Sequence, residues 1–428
     1  MPAATHSNWK LPFGILWTGQ AISLFGSSLV QFALVWWLTQ TTRSATVLAM
    51  ATLVAVLPNV LLGPVAGVLV DRWNRRVIMI VADALVALAT LVLALLFLVG
   101  AAQVWHVYVI LFFRAVAGIF HSTAMQTSTS LMVPDRHLSR VAGFNQALNG
   151  GMNIVAPPIG ALLLGLLPLQ GVLAIDIVTA LLGISPLFFI KVPQPPRKAG
   201  AAAAGTPRPS LWSEMRAGLR YVWAWPGMMI LLGMASLINF TLNPASALLP
   251  ILVTKHFGGG VMHLASLESV FGLGIVIGGV ALGVWGGFRR RIFTSLAALV
   301  GIGVGFLLLG LAPANAFWLA VASAFLAALM LPMANGPLMA VMQAVVAPEM
   351  QGRVFTLIGS VATAMSPLGL LIAGPIADAL GIQAWYLVGG VTCLLMGLLA
   401  FFIPAITHLE DRLASPSVVV SETAAVPG

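Results

Sequence analysis

Long apolar runs, each about the 20 residues that a helix needs to cross a bilayer and separated by short turns, recur along the whole 428-residue chain and leave it few ways to fold. They place helices near residues 12–38, 46–70, 77–100, 104–128, 144–167 and 171–190. A second six follow near 227–252, 262–286, 292–312, 315–343, 354–378 and 383–405. Runs this long and continuous argue for helices, since barrel strands would be short and alternating. With 60% hydrophobic and 7% charged residues and a mean hydropathy of +1.03, the chain lies outside the range of water-soluble domains. The expected fold is an all-α membrane protein with twelve transmembrane helices in two pseudo-symmetric six-helix bundles.

The segment KVPQPPRKAGAAAAGTPRPS, Lys191 to Ser210, is rich in Pro, Ala and basic residues and contains no spanning run, so it reads as a linker. Ser210 then caps an expected surface helix with Leu211, Met215, Leu219 and Val222 on one face and Arg216 and Arg220 elsewhere. The resulting organisation is a bundle over 1–190, a linker with its surface helix over 191–226, a second bundle over 227–407 and a disordered tail over 408–428. The halves echo each other through a gapped likeness: VPDRHLSRVAGF from Val133 resembles APEMQGRVFTL from Ala347, and PPIG at Pro157 resembles SPLG at Ser366. Such repeats are what a transporter built from two bundles predicts, with its substrate held between them.

A net charge of +9 raises the question of nucleic acid, and the placement of the charge answers it. Of 20 Lys and Arg, only Arg43 and Lys255 fall in loops assigned outside and Arg114 lies in a span, leaving 17 inside. The positive-inside rule then makes both termini cytoplasmic. Basic residues spread over alternate turns do not build a nucleic-acid footprint on one face. The polar start and long first run imply an uncleaved first helix, and the single cysteine, Cys393, excludes an intramolecular disulfide.

Charge inside a membrane needs a reason. Arg114 sits about ten residues into the fourth span, where an unpaired cation costs several kcal/mol. It must face water or an acid such as Asp83; His121, seven residues on, shares its helical face. Asp83 lies near the inner end of span three, while Asp176, Glu268 and Asp378 fall near the outer ends of spans six, eight and eleven. Glu268 is the expected proton-titrating carboxylate; Asp176 and Asp378 are expected to cap helix ends or build an outer gate. Span one offers only Gln20, Ser23 and Gln31 and no acid. At the turn GVLVDRWNRR, Gly67 is expected to permit close helix approach, and Asp71 to cap a facing helix or pair with arginine. Arg72, Arg75 and Arg76 then either meet acids at this cytoplasmic gate or rest among headgroups; a merely topology-setting turn explains the arginines but not Asp71 or Gly67.

These residues carry a family likeness. GVLVDRWNRR resembles the loop between spans two and three of major facilitator transporters, and RAVAGIFH resembles the arginine-bearing fourth-span signature of their proton-coupled members. NGGMNIVAPPIGALL, with Pro157, Pro158 and Gly160, resembles the fifth-span signature of antiporters, although Ala156 and Ala161 stand where that signature has glycine. Its whole length resembles the macrolide-efflux (Mef-type) subfamily through NWKLPFGILWTGQAISL, LVAVLPNVLLGPVAGVLVDR, AGIFHSTA, AIDIV, LPILVTKHF, GRVFTLIGSV and IADALG. The resemblance implies a proton-driven antiporter in the bacterial inner membrane, working as a monomer without a cofactor, that expels macrolide-like amphipathic drugs. Gln31, Asn149, Asn153, Asn239, Asn243 and Asn335, with Met333, suit a cavity that holds a large amphipathic ligand by a few polar groups. A siderophore or metabolite exporter would share the gate and differ in the cavity. An intramembrane enzyme is disfavoured because HExxH, paired cysteines, GxSxG and a phosphate loop are all missing from the sequence.

Overall fold

The computed structural model describes residues 9–190, 192–194, 216, 219–223 and 225–410. Among these residues twelve helices are long and apolar enough to cross a membrane, and the chain is a multi-pass membrane protein. The first six are α1 (Lys10–Thr42), α2 (Ala45–Arg72), α3 (Arg75–Leu98), α4 (Val104–Met132), α5 (Asp135–Leu166) and α6 (Leu169–Phe189). The second six are α7 (Pro226–Ala247), α8 (Val261–Trp285), α9 (Arg291–Leu311), α10 (Phe317–Val345), α11 (Pro348–Leu380) and α12 (Ile382–Ala400).

Several helices outrun their apolar segments. α5 takes in the polar DRHLSR stretch, and α11 opens with Pro348 in its first turn, where a proline surrenders no hydrogen bond. The seventh span is not the single helix expected over 227–252. α7 stops at Ala247, a short helical turn follows at Leu249–Ile251, and a π-type turn closes the stretch at Leu252–His256. Pro244 and Pro250 each remove a donor from the ladder here, which loosens its register. Of the expected surface helix, Ser210, Leu211 and Met215 lie outside the described residues. The described part, Leu219–Trp223, is helical and tucks Val222 against Met228, Leu231 and Val354. Residues 411–428 of the expected tail also lie outside.

The described residues form two compact units, one from those within 1–205 together with Ala247–Ser269, the other from those within 206–246 together with 270–410. In the first, α1 and α6 meet along a seam of small residues. A Cβ added at Gly183 would lie 2.8 Å from Ser23 Cβ, and one at Gly19 would lie 3.1 Å from Pro186 Cγ. Only glycine lets these backbones approach so closely. That approach carries the acid Asp176 of α6 up against α1. Near the α2–α3 turn the same unit buries Phe13, Leu16, Val70, Met79 and Leu187 together.

In the second unit Gly303 of α9 faces Gly390 of α12 in the same manner. Two fully buried polar bonds among its described residues are neutral: Trp385 Nε1 donates to the Thr241 carbonyl at 3.0 Å and Tyr386 Oη to the Ala245 carbonyl at 2.7 Å. The two units also repeat a device at the start of their third helices. Gln194, after α6, accepts from the backbone N–H of Arg75 at 3.2 Å; Glu410, after α12, accepts from that of Ile292 at 2.8 Å. The internal repeat is thus clearer in hydrogen bonds than in sequence. It also supplies an acid, Glu410, near the turn GVWGGFRRR, Gly283 to Arg291, whose own sequence has none and which bends through Gly286 and Gly287 at φ of 77° and 83°.

Gly67 does not have the close-approach role expected of it. Among the described residues, a Cβ there would meet nothing within 4 Å. Gly183→Val should therefore overpack the α1–α6 seam and destabilise the protein by about 1–3 kcal/mol, read as a lower thermal midpoint in detergent. Gly67→Ala should leave that midpoint where it is. The reverse order would contradict the packing described.

Candidate functional site

Arg114 and its counter-charge draw on four helices. From α4 its Nη1 donates to Asp176 Oδ2 of α6 at 2.6 Å and to the Thr90 hydroxyl of α3. Ser27 of α1 donates to the other oxygen, Asp176 Oδ1, at 3.0 Å, and Thr90 Oγ1 lies 3.1 Å from Asp176 Oδ2. The Asp176 side chain is 0% exposed and that of Arg114 11%. A buried ion pair survives only when both members are compensated in this way. The expected partner, Asp83, is not the one used. On α3 the position opposite Arg114 belongs to Thr90, and Asp83 lies seven residues, about 10 Å along the helix axis, further toward the start of α3. Asp176 is accordingly no outer cap or gate; it is the buried counter-charge.

Asp83 has a different neighbour. Its Oδ1 lies 3.5 Å from His121 Nε2, and its Oδ2 accepts from Gln20 Nε2 at 3.3 Å. The same Gln20 amide donates to the Gly183 carbonyl at 3.2 Å. Arg114 and His121 do share a face of α4, and each meets its own acid.

The α2–α3 turn is a third polar centre, and it ties α2, α3, α4 and α6 together. Arg75 is buried and spans from Asp71 Oδ1 at 3.3 Å to the Thr127 carbonyl at 2.9 Å. Asn74 caps α3 by accepting from the backbone of Arg76 and Val77. Arg76 donates to the Leu187 and Phe188 carbonyls, placing a cation on the C-terminal end of α6, where the helix dipole favours it. Asp71 therefore pairs within its own turn, four residues from Arg75, and among the described residues caps no facing helix. Arg72 is exposed.

The remaining sequence candidates are dispersed. Glu268 is half-buried near the start of α8, and no hydrogen-bond or ionic partner is found for it among the described residues. Asp378 is exposed in the last turn of α11, where a carboxylate has no donor to offer that helix's own terminal carbonyls. α5 runs through Pro157, which is buried, and Pro158, which is exposed, while Gly160 abuts Phe32 of α1. Gln31, Asn149 and Asn153 are exposed on the first unit; Asn243 and Asn335 are exposed and Asn239 and Met333 half-buried on the second. Asn239, Asn243 and Asn335 each donate within their own helix. Sequence reasoning missed Ser27 and Thr90 and gave Gln20 no part. Their signal was a spacing of seven shared by Gln20 and Ser27, Asp83 and Thr90, Arg114 and His121.

A membrane-embedded helical chain with internally repeated bundles and paired charges in one of them is a transporter rather than an enzyme. It belongs to the Major Facilitator Superfamily, whose family model matches residues 16–359 and 233–418. Within that superfamily it falls in the macrolide-efflux subfamily. It is 34% identical over 405 residues to Macrolide efflux protein A of Streptococcus pyogenes, spanning 95% of this chain and 99% of the relative. A second relative, Macrolide efflux protein A of Enterococcus faecalis, is 33% identical over 76% of this chain and 99% of its own length. The multidrug efflux pump Tap of Mycolicibacterium fortuitum is 28% identical, over 90% and 94%. Among solved structures, a POT family transporter in complex with a thioalcohol-conjugated peptide superposes with a TM-score of 0.71 at 12% identity, covering 94% of this chain and 96% of that one. The nucleoside transporter NupG gives 0.67 at 13% identity, covering 92% and 98%.

Removing one member of the Arg114 pair should be worse than removing both. Arg114→Ala should destabilise the protein by about 3–5 kcal/mol, the effect of stranding a buried charge. Adding Asp176→Asn should restore folded yield, and adding Asp83→Asn should not. Rescue by Asp83→Asn alone would overturn the pairing.

Proposed function

We propose that this chain is a proton-driven antiporter that exports macrolide-like amphipathic drugs across the bacterial inner membrane by alternating access. It is a drug-efflux transporter of its superfamily. The observation that carries this reading is its relation, over nearly its full length, to proteins named for macrolide efflux. The charges buried within the first unit support it, because such groups in a membrane span are retained for ion or proton pathways more often than for stability.

In this reading both termini face the cytoplasm and the protein works as a monomer, with the proton gradient as its energy source. Asp71, Arg72, Arg75 and Arg76 form a cytoplasmic gate whose contacts rearrange during the cycle. The amides of Gln31, Asn149, Asn153, Asn239, Asn243 and Asn335 supply the few polar contacts for the drug, and half-buried Met333 an adaptable apolar one. Glu268, a half-buried carboxylate without a counter-charge among the described residues, exchanges a proton with each turnover. The Asp71 carboxylate is 68% exposed, so its pairing with Arg75 adds at most about 1 kcal/mol to folding. Its value lies in the cycle.

Inside-out vesicles containing the protein should accumulate a labelled 14-membered macrolide when their lumen is acid, and should not do so without the gradient. Glu268→Gln should keep drug binding and lose the gradient dependence. Asp71→Asn should be folded and inactive. Absence of macrolide accumulation by folded wild-type protein would sink the drug reading and turn attention to siderophores or other exported metabolites.

A further inference from the structure

We propose that Asp83 and His121, bridged to α1 and α6 by Gln20, form a second proton-binding site, set within the first unit and distinct from the Arg114–Asp176 pair. The proposal rests on the reading of the chain as proton-driven, and it names where inside the first unit a proton is held.

The geometry is that of one layer repeated. Ser27, Thr90, Arg114 and Asp176 come from α1, α3, α4 and α6. Gln20, Asp83, His121 and Gly183 come from the same four helices, each seven residues away. The offsets run backward on α1 and α3 and forward on α4 and α6. Since α4 and α6 are antiparallel to α1 and α3, every step moves toward the same end of the bundle, about 10 Å along the axis. The four helices therefore carry two stacked polar layers of matching construction.

What differs is how the negative charge is met. In the upper layer the carboxylate has a fixed cation and hydroxyl donors on both oxygens, and its side chain is sealed from solvent. In the lower layer Asp83 has one amide donor and an imidazole. Imidazole is the side chain whose ordinary titration falls between pH 5 and 8. At 3.5 Å the two groups are adjacent but not firmly bonded, and His121 Nε2 is a buried nitrogen without a hydrogen-bond partner among the described residues. The His121 side chain keeps 19% of its surface exposed, where that of Asp176 keeps none.

The other charged groups around this pair are accounted for. α4 and α6 present Arg114 and Asp176, which neutralise each other one layer away. α1 presents Gln20 and no ionisable side chain between Lys10 and Arg43. α2 brings only Asp71 and Arg72, at the end nearest this layer; α3 itself brings Arg75, paired with Asp71, and Arg76, seven residues before Asp83 and bonded to the Leu187 and Phe188 carbonyls; and α5 carries Arg136, His137 and Arg140 in its first two turns. With one proton on Asp83 Oδ1 or His121 Nε2 the lower layer is neutral overall; without it the layer holds one unmatched negative charge. Loading takes the proton from water and breaks no other covalent bond. Because Gln20 reaches both Asp83 and the Gly183 carbonyl, a change of charge at Asp83 alters the tie of α1 to α3 relative to its tie to α6. That is the kind of discrete rearrangement through which a proton can bias a conformational equilibrium.

Two measurements on purified full-length protein test this. Infrared titration with isotope-labelled aspartate needs no drug, so it answers independently of the export reading. A carboxyl C=O band that titrates in wild type should vanish in Asp83→Asn, shift its midpoint in His121→Gln, and persist in Asp176→Asn/Arg114→Leu. In proteoliposomes the ratio of gradient-driven macrolide uptake to counterflow should fall about tenfold in Asp83→Asn, within the usual range of coupling, and recover in Asp83→Glu. A titrating band that survives Asp83→Asn in folded protein, or an unchanged ratio in both Asp83→Asn and His121→Gln, would overturn the proposal. Loss of wild-type macrolide uptake with the Asp83 band intact would instead count against the drug reading alone.

Discussion

The first unit is organised around a guanidinium that has no business in hydrocarbon unless it is answered. Arg114 and Asp176 meet at 2.6 Å between four helices, and the pair is worth having only because both members are compensated there. Much else follows from that requirement. The glycine seam of α1 and α6 brings Asp176 within reach of Ser27, and Thr90 takes the place on α3 where a second acid would leave the site with excess negative charge. With the upper layer neutral and closed, the layer below it is left with Asp83, His121 and a single amide.

Against this, the second unit ties buried helices together, among its described residues, with an aromatic N–H and an O–H on carbonyls, which do not change charge. The asymmetry suits a division of labour in which ionisable chemistry sits in the first unit. Superfamily membership sets this in context, since relatives over nearly the full length are named for macrolide efflux. The α2–α3 turn belongs to the same economy of charge. Arg75 and Arg76 are spent on carbonyls of α4 and α6, which leaves Asp71 the exposed member of its pair.

Hydropathy alone revealed the twelve spans and their order, because crossing a bilayer demands length and apolarity that few other segments share. It did not reveal the break after Ala247, where prolines act on the hydrogen-bond ladder without reducing hydropathy. Arg114 stood out as a cation in an apolar run, yet its partner was misread. Sequence gives the depth of Asp83 and Asp176 along their own helices but not which helices touch. Arg114 and Asp176 both lie near the N-terminal ends of antiparallel partners of α3, a depth match that Asp83 lacks. Gly67 was legible as a residue and not as a role, since glycine at a turn serves either packing or the backbone and only neighbours decide. Ser27 and Thr90 were invisible because a hydroxyl in a span is ordinarily spent on its own helix.

The central claim is that drug export and proton movement are one coupled process, and exchange coupling must run in both directions. The most direct measurement is proton flux in proteoliposomes holding the purified protein and a pH-sensitive dye, with a macrolide gradient imposed and no initial pH difference. The account predicts that drug flowing down its gradient drives protons the opposite way, in proportion to drug moved. Drug flow through folded protein with no accompanying proton movement would contradict it.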